Sequence, residues 1–353
     1  MKLSRRTWAI LAGVLVLALG AGGFAAWQYT NLFLPDRLCD GAVATKDAER
    51  VLGNGKIEIA SHRASSERND PDAYCAISLK RGGKYVAEIH LRTKMAEIAE
   101  PSLRADPAMS QPDRGPVGAF GNARGWLLMA PGCRLDPKDT NNYPKRDADA
   151  VAVDVVRDKE PDPYRFARAD RTASPEARQD LARLAAGFAA AVAQRSGCGS
   201  AAVPDIHLTS GEQIGQPIDD GPVCGVPGAS PVTTLPSGTR QDISSSEAPV
   251  QSCWVHTGIR QQPLYEFTAT LDTRYPAFAV HSGDKPLAPL PDGWRGTGSS
   301  GTTVAAPCTS GTLTLQAFGS AFTGSTLPLE TSAFRAWANA MAAKYGCEPV
   351  APK

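Results

Sequence analysis

Eight cysteines constrain this chain more than any other feature, because they form two quartets of similar design. None of their spacings is a C-x-x-C pair, which zinc sites and redox-active thiols typically contain. We therefore predict structural disulfides, and of the three pairings that four cysteines allow we favour first with second and third with fourth. The predicted disulfide residues are Cys39, Cys75, Cys133 and Cys198 in the first quartet, and Cys224, Cys253, Cys308 and Cys347 in the second.

The chain around the two quartets repeats a strand pattern, which indicates an internal duplication. The second cysteine of each quartet opens a predicted β-hairpin, at residues 75–91 and 253–271, where β-branched and aromatic residues alternate. An apolar strand containing Ala-Pro leads into each third cysteine. A further strand is predicted at 150–156, and its counterpart in the second copy lies at 312–318.

An amphipathic helix is predicted before each fourth cysteine, because apolar residues recur there at helical spacing. Both helices end in Gly-Cys, and glycine just past the last turn is a common helix stop. Ser174-Pro175 suits the start of the first helix, and Thr331 or Ser332 suits the N-cap of the second. The two apolar stripes are Leu181, Leu184, Ala185, Phe188, Ala189 and Val192, and Phe334, Trp337, Ala338, Met341, Ala342 and Tyr345.

A short leading helix is predicted in the first copy at residues 45–53. Thr45 is its expected N-cap, and Gly53 its expected stop. The matching stretch of the second copy, 230–238, contains two prolines, so any helix there must be shorter.

The N-terminal segment predicts export. No charge interrupts the twenty residues from Trp8 to Trp27, and about 20 apolar residues span a bilayer. Lys2, Arg5 and Arg6 precede this run and favour a cytoplasmic N-terminus. A signal peptide cleaved after Ala25 is the alternative, but the long apolar run favours an uncleaved anchor. The predicted location is the cell membrane, with a single pass and the later domains outside the cell, in an oxidising compartment.

These patterns together predict an α+β fold. We expect an N-terminal transmembrane helix followed by two tandem, duplicated small antiparallel-sheet-plus-helix domains, each with two disulfides. The predicted segments are a cytoplasmic N-terminus at 1–7, a transmembrane signal anchor at 8–29, the first extracytoplasmic copy at 32–199, a linker at 200–221 and the second copy at 222–349.

No spacing of polar residues predicts catalysis, a cofactor or a metal, so the cysteines are the only site residues assigned. His90 and His256 fall on predicted strands, where a solvent-facing or hydrogen-bonded histidine is the usual case. Ser299 and Ser300 lie in a Gly-rich stretch that does not match a nucleophile elbow, and we predict a flexible loop there. Trp254, next to Cys253, is predicted to pack on the disulfide.

The net charge of +1 gives no electrostatic basis for binding nucleic acid. The expected partners are the membrane, through the N-terminal helix, and an envelope ligand or protein.

A cysteine before a short helix, a second cysteine opening a hairpin as Cys253-Trp254-Val255, and a later helix together resemble exported, often lipid-anchored, sensor-like domains of actinobacteria. The high Ala, Gly, Pro and Arg content fits the same source. This resemblance implies a location and a fold type and assigns no active site. The chain departs from the family in having a plain anchor in place of a lipid-attachment cysteine.

Two functional hypotheses follow from the sequence. The first is a non-enzymatic module that binds or senses a ligand or partner at the cell envelope. The second is an envelope hydrolase whose site combines residues far apart in the sequence.

Overall fold

The computed structural model describes most of the chain after the N-terminal thirty residues. The predicted cytoplasmic segment 1–7 and the predicted anchor 8–29 lie outside the described residues. The residues described are 31, 34–63, 73–95, 109–121, 123–130, 132–133, 151–158, 174–200, 202–209, 213–218, 222–229, 235–257, 264–272, 288–290, 292–299, 303–319 and 331–352.

Two antiparallel sheets dominate this part of the molecule. A two-stranded ribbon, β1 (Arg37–Leu38) with β2 (Val43–Ala44), precedes them. The first sheet contains β3 (Lys56–Arg63), β4 (Tyr74–Arg81), β5 (Lys84–Met95), β6 (Gly118–Phe120), β7 (Arg124–Leu128) and β8 (Val151–Asp158). The second contains β9 (Gln213–Pro217), β10 (Arg240–Ile243), β11 (Val250–His256), β12 (Tyr265–Thr270), β13 (Ala288–Pro289), β14 (Thr297–Ser299), β15 (Thr303–Cys308) and β16 (Gly311–Phe318).

The two sheets share one strand order. The first runs β3-β4-β5-β8-β7-β6, and the second contains the corresponding series β10-β11-β12-β16-β15-β14. In both sheets the last of these six strands along the chain pairs with the third along the chain, β8 with β5 and β16 with β12, so the last strand enters the middle of the sheet. The second sheet is extended by β9 beside β10 and by β13 beside β14.

Three α-helices occur among the described residues, α1 (Thr45–Leu52), α2 (Pro175–Ser196) and α3 (Ser332–Lys344). Ser174 caps α2 by accepting a hydrogen bond from the Ala177 amide at 3.2 Å, as the Ser-Pro start predicts. Thr331 caps α3 by accepting from the Phe334 amide at 3.2 Å. Both helices end at a left-handed glycine before the fourth cysteine, Gly197 with φ 69° and Gly346 with φ 69°.

The predicted cap of α1 is wrong. Ala44 occupies the N-cap position, and Thr45 is already the first helical residue. The Thr45 hydroxyl instead donates to the Pro35 carbonyl at 2.5 Å, so it joins the helix to the chain that precedes it. Gly53 follows the last helical residue with φ 88°, as predicted for a stop.

Each sheet packs one face against its C-terminal helix. The α2 stripe from Leu181 to Val192 is buried in the same apolar core as Ile77 and Ile89 of the first sheet. In the second core, Phe334 and Trp337 of α3 lie 5.6 and 5.3 Å from the ring of Phe267 on β12. We call these the inner faces of the sheets, and the opposite faces the outer faces.

Two groups fasten the end of the chain to the second core. The Tyr345 hydroxyl donates to the Ala269 carbonyl of β12 at 3.4 Å. Burial raises the pKa of Tyr345 to about 12, against a smaller lowering by a hydrogen bond to the Gln251 backbone, so it stays a neutral donor at physiological pH. The Asn339 side chain accepts from the amides of Val350 and Ala351, both at 2.9 Å.

Four disulfides join Cys39 to Cys75, Cys133 to Cys198, Cys224 to Cys253 and Cys308 to Cys347. This is the pairing favoured from the sequence. The Cα–Cα distances also match between the halves, at 6.0 and 5.8 Å for the first bridges and 4.9 Å for both second bridges. Cys39 and Cys224 share a left-handed backbone, with φ of 55° and 59°.

The predicted α+β class is wrong, because the described structure is mainly β. Short strands such as β9, β13 and β14 carry no alternation that a sequence pattern could reveal. β14 also corrects the predicted loop around Ser299, which lies at the end of that strand. None of the helices in the described ranges is long and apolar enough to cross a membrane.

A buried glutamine joins the two halves. The Gln111 side chain donates to the Val250 carbonyl at 2.8 Å and accepts from the Val250 amide at 3.1 Å. The Gln111 carbonyl accepts two hydrogen bonds from Thr209, at 2.7 and 3.0 Å. Since β10 ends at Ile243, the Gln111 amide replaces a neighbouring strand at the start of β11. Nearby Ile206, in the predicted linker, belongs to the first core.

Candidate ligand-binding face

The outer face of the second sheet carries a straight row of polar residues across four strands. Ser252 on β11 pairs with Thr268 on β12, Thr268 pairs with Gln316 on β16, and Gln316 pairs with Thr303 on β15. Alternation along each strand places all four on one face, because their neighbours Cys253, Phe267, Leu315 and Val304 fill the inner core. We call these four residues the polar row.

The polar row is buried, although its composition suits a solvated face. Its four side chains are only 2–4 % exposed. Ser244 extends the row at the β10 end, where its hydroxyl accepts from the Ser252 amide at 2.9 Å. Most buried polar atoms in folded proteins have hydrogen-bond partners. The hydroxyl and amide groups of this buried row should therefore have partners too.

Four side-chain atoms on this outer face lack a hydrogen-bond partner within the described structure. They are Ser252 Oγ, Trp254 Nε1, Thr303 Oγ1 and Gln316 Nε2. A buried polar group left without a partner costs about 1–3 kcal/mol. Because folded proteins are only marginally stable, the cluster is best explained by polar groups of a ligand or of ordered water.

A second row lies one step along the strands. Asp242, Trp254 and Glu266 occupy matching positions on β10, β11 and β12. The predicted packing of Trp254 on the disulfide is wrong, because adjacent strand residues point to opposite faces and Cys253 faces the inner core. The indole lies instead on the outer face beside the polar row.

The predicted strand position of His256 is confirmed, and it forms a buried pair with Asp242. The distance from His256 Nε2 to Asp242 Oδ2 is 3.2 Å, and the two side chains are 4 % and 1 % exposed. Asp242 Oδ1 also accepts from the Gly215 amide at 2.5 Å, which holds β9 against β10. Ser252 lies four residues from His256 on the same strand, about 13 Å away. This distance prevents the direct hydrogen bond that an activated serine nucleophile requires.

The outer face of the first sheet is built differently. His90, on β5 as predicted, lies 2.9 Å from the Tyr74 hydroxyl and 3.9 Å from Glu88. Its side chain is 31 % exposed. On the adjoining strands, Glu58 contacts Lys80 at 2.6 Å and Lys56 at 3.3 Å. Charged side chains therefore reach solvent here, whereas the polar row of the second sheet is neutral and buried.

An apolar cavity of about 320 Å³ lies between α2 and the end of β7. Its walls include Leu127 and Met129 on one side and Ala189 and Ala193 on the other. The lining contains few groups that can orient a polar ligand, so the polar row is the stronger candidate site.

The fold and this face together define a mainly β, disulfide-stabilised protein with two sheets of related topology. No family model, curated protein or solved structure matches the chain. The resemblance to exported actinobacterial domains and the predicted domain boundaries therefore stay predictions.

Proposed function

We propose that this protein is a non-enzymatic binding module that holds a polar ligand against the outer face of its second sheet. The observation that supports the proposal is the cluster of four buried, unpartnered polar atoms, three of them in the polar row. Such groups lower the stability of the fold, and a ligand that hydrogen-bonds to them recovers part of that free energy.

The location is the second part of the proposal. Four disulfides fit an oxidising compartment, and we propose that the two sheets lie on the outer side of the cell membrane. Sequencing the N-terminus of the protein recovered from its host distinguishes a retained 8–29 segment from a cleaved one. Recovery of the chain in the cytosol with reduced cysteines contradicts the proposed location.

The hydrolase hypothesis has less support. His256 is closed to solvent and held by Asp242, while His90 lies on a charged sheet face beside a tyrosine. Among the residues that the structure describes, neither arrangement places a serine or threonine hydroxyl beside the histidine as nucleophile and base.

Hydrogen exchange on the full-length, oxidised protein tests the binding function. We expect a small-solute or polymer fraction of the cell envelope to slow amide exchange in β11, β12, β15 and β16, because bound ligand suppresses local opening. Unchanged exchange with every fraction, or slowing confined to the first sheet, contradicts the proposal.

A further inference from the structure

We infer that the apolar cavity beside α2 binds one hydrocarbon chain, of the kind that a single fatty acid carries. The cavity lies in the first half of the chain, so this inference goes beyond the binding proposed for the second sheet. It depends on how the cavity opens, on what lines it, and on how the second half of the molecule fills the corresponding place.

The cavity is open to solvent on one side. Gly115, Ala130 and Ser200 line it there and are exposed, whereas Leu128 and Ala186 line it and are buried. Its volume of about 320 Å³ exceeds the roughly 150 Å³ of an engineered apolar cavity that binds benzene. A small apolar ligand can therefore enter without any opening of the fold.

The lining favours a hydrocarbon ligand. Among the described residues that line the cavity, only Ser200 has a polar side chain, and none is charged. Alanines of one α2 face form one wall, and Leu127 and Met129 lie in the other. A carboxylate is costly to bury without a charged or hydrogen-bonding partner. The head group of a fatty acid therefore stays at the mouth, and only its chain enters.

The volume fits one chain of moderate length. A methylene group is similar in size to a water molecule, whose share of liquid volume is about 30 Å³. On that scale the cavity holds about ten carbons of a single chain. A second acyl chain on the same lipid finds no room, and a longer single chain projects from the mouth.

The second half fills the corresponding place with its own chain. Val350 and Ala351, just after the fourth cysteine, are buried in the second core. The Asn339 side chain of α3 accepts from both of their amides at 2.9 Å. On the other side, the Arg295 amide before β14 donates to the Val350 carbonyl at 2.9 Å. The first half differs, because Val203, which follows its fourth cysteine, is 52 % exposed. A place between helix and loop that holds peptide in one half is thus a cavity in the other.

The same comparison distinguishes a hydrocarbon from a peptide. Counted back from the fourth cysteine, Ala190 occupies the position of Asn339, and Ala186 occupies that of Arg335. The Ala190 side chain has no group that can hydrogen-bond to the main chain of a bound peptide, whose buried amides would lose their partners in water. A hydrocarbon has no such groups to satisfy. The first half is therefore suited to an acyl chain where the second half holds peptide.

Photolabelling of the full-length, oxidised protein tests the inference. The probe is laurate with a diazirine at its methyl end, and amphipol replaces free detergent, which would compete for the cavity. We expect the label on peptides that contain 127–130 or 186–193, because a chain in the cavity lies against both. Unlabelled fatty acids should compete better by about fourfold for each added methylene, up to about ten carbons, because each buried methylene adds to affinity.

Two variants that fill the cavity test it directly. Ala190→Leu and Ala186→Leu each take the space of about two methylenes, so each should reduce labelling by about tenfold. An equal or higher Tm shows that the fold is kept, since filling a cavity commonly stabilises a protein. Ala191→Leu is the matched control. Ala191 lies next to Ala190 on α2 but is not among the described residues that line the cavity, so labelling should be unchanged.

The peptide acetyl-Pro-Val-Ala-Pro-amide, which copies residues 349–352, should not compete with the probe. If the peptide binds and laurate does not label the protein, the cavity accepts peptide and the hydrocarbon assignment is wrong. Labelling outside the two expected peptides, or labelling that both filling variants leave unchanged, overturns the inference altogether. None of these outcomes bears on the polar row, which lies in the other half of the molecule.

Discussion

The two sheets share a strand order but differ in how their outer faces meet the solvent. The first presents Glu58 between two lysines, and a partly exposed His90. The second buries serine, threonine and glutamine, and several of their polar atoms have no partner among the described residues. Since both inner faces are ordinary apolar cores, the outer faces are where the halves differ in chemistry. One framework therefore supports both a solvated surface and a closed polar layer.

Removing a disulfide tests whether the two halves depend equally on their bridges. Cys133 and Cys198 are 65 positions apart in the sequence, and Cys308 and Cys347 are 39 positions apart. The chain-entropy estimate gives about 4 kcal/mol for each loop, because the stabilisation grows only with the logarithm of loop length. We expect the double variants C133A/C198A and C308A/C347A to lose similar unfolding free energy in guanidinium titrations. If only one of the two double variants loses unfolding free energy, the two halves do not depend equally on their disulfides.

The next largest effect is expected at the joint between the halves. Gln111→Leu removes both hydrogen bonds to the Val250 main chain and leaves those two buried groups unpaired. We expect a loss of about 3 kcal/mol in unfolding free energy. Gln316→Leu is the matched control, because the Nε2 atom of that buried glutamine has no partner to lose. Equal losses for the two variants contradict the distinction between a structural and a ligand-binding glutamine.

A pair of threonines sharpens the contrast between the sheets. The Thr93 hydroxyl accepts from the Ala73 amide at 2.8 Å, so Thr93→Val should destabilise the protein by about 1–2 kcal/mol. The Thr303 hydroxyl is buried without a partner, so Thr303→Val should stabilise the ligand-free protein by about 1 kcal/mol. Calorimetric unfolding of both variants shows whether each substitution lowers or raises the stability of the protein. A destabilising Thr303→Val change shows that its hydroxyl is already satisfied.

Local patterns in the sequence predicted the strands and helices that have a regular apolar spacing. The 75–91 hairpin and the buried α2 stripe are readable from nearby residues, and the pairing of the cysteines follows from the repeat of two similar quartets. Alternation on β11 also places Ser252, Trp254 and His256 on one face. Alternation along one strand cannot show whether this face is buried or exposed, because burial depends on residues outside the strand.

The polar row itself required the register of the sheet. Thr268 and Gln316 become neighbours only because β16 enters between β12 and β15, and no spacing in the sequence encodes that choice. The α+β prediction failed for a related reason. Strands of two to five residues at the sheet edges are held by pairing with neighbours and carry no pattern of their own, so the strand content was underestimated.

The smallest expected effect belongs to the charged outer face of the first sheet. A hydrogen bond from Lys80, supported by Lys56 and opposed by slight burial, holds the pKa of Glu58 below its ordinary value. A lowered pKa stabilises the fold above the unfolded-state pKa, about 4.3, and that stabilisation is lost as pH falls through the folded-state value. Because all three side chains are about a quarter or more exposed, solvent limits the contribution to about 0.5 kcal/mol.

Glu58→Gln should therefore lower Tm slightly at pH 7, and the difference from the unmodified protein should vanish as pH falls below the folded-state pKa of Glu58, where both side chains are neutral. Added salt should shrink the difference at pH 7, since exposed charges are screened. A difference that does not shrink with falling pH means that Glu58 acts through packing. In that case the outer face of the first sheet contributes to stability in its own right, and the contrast with the second sheet is smaller than the exposures indicate.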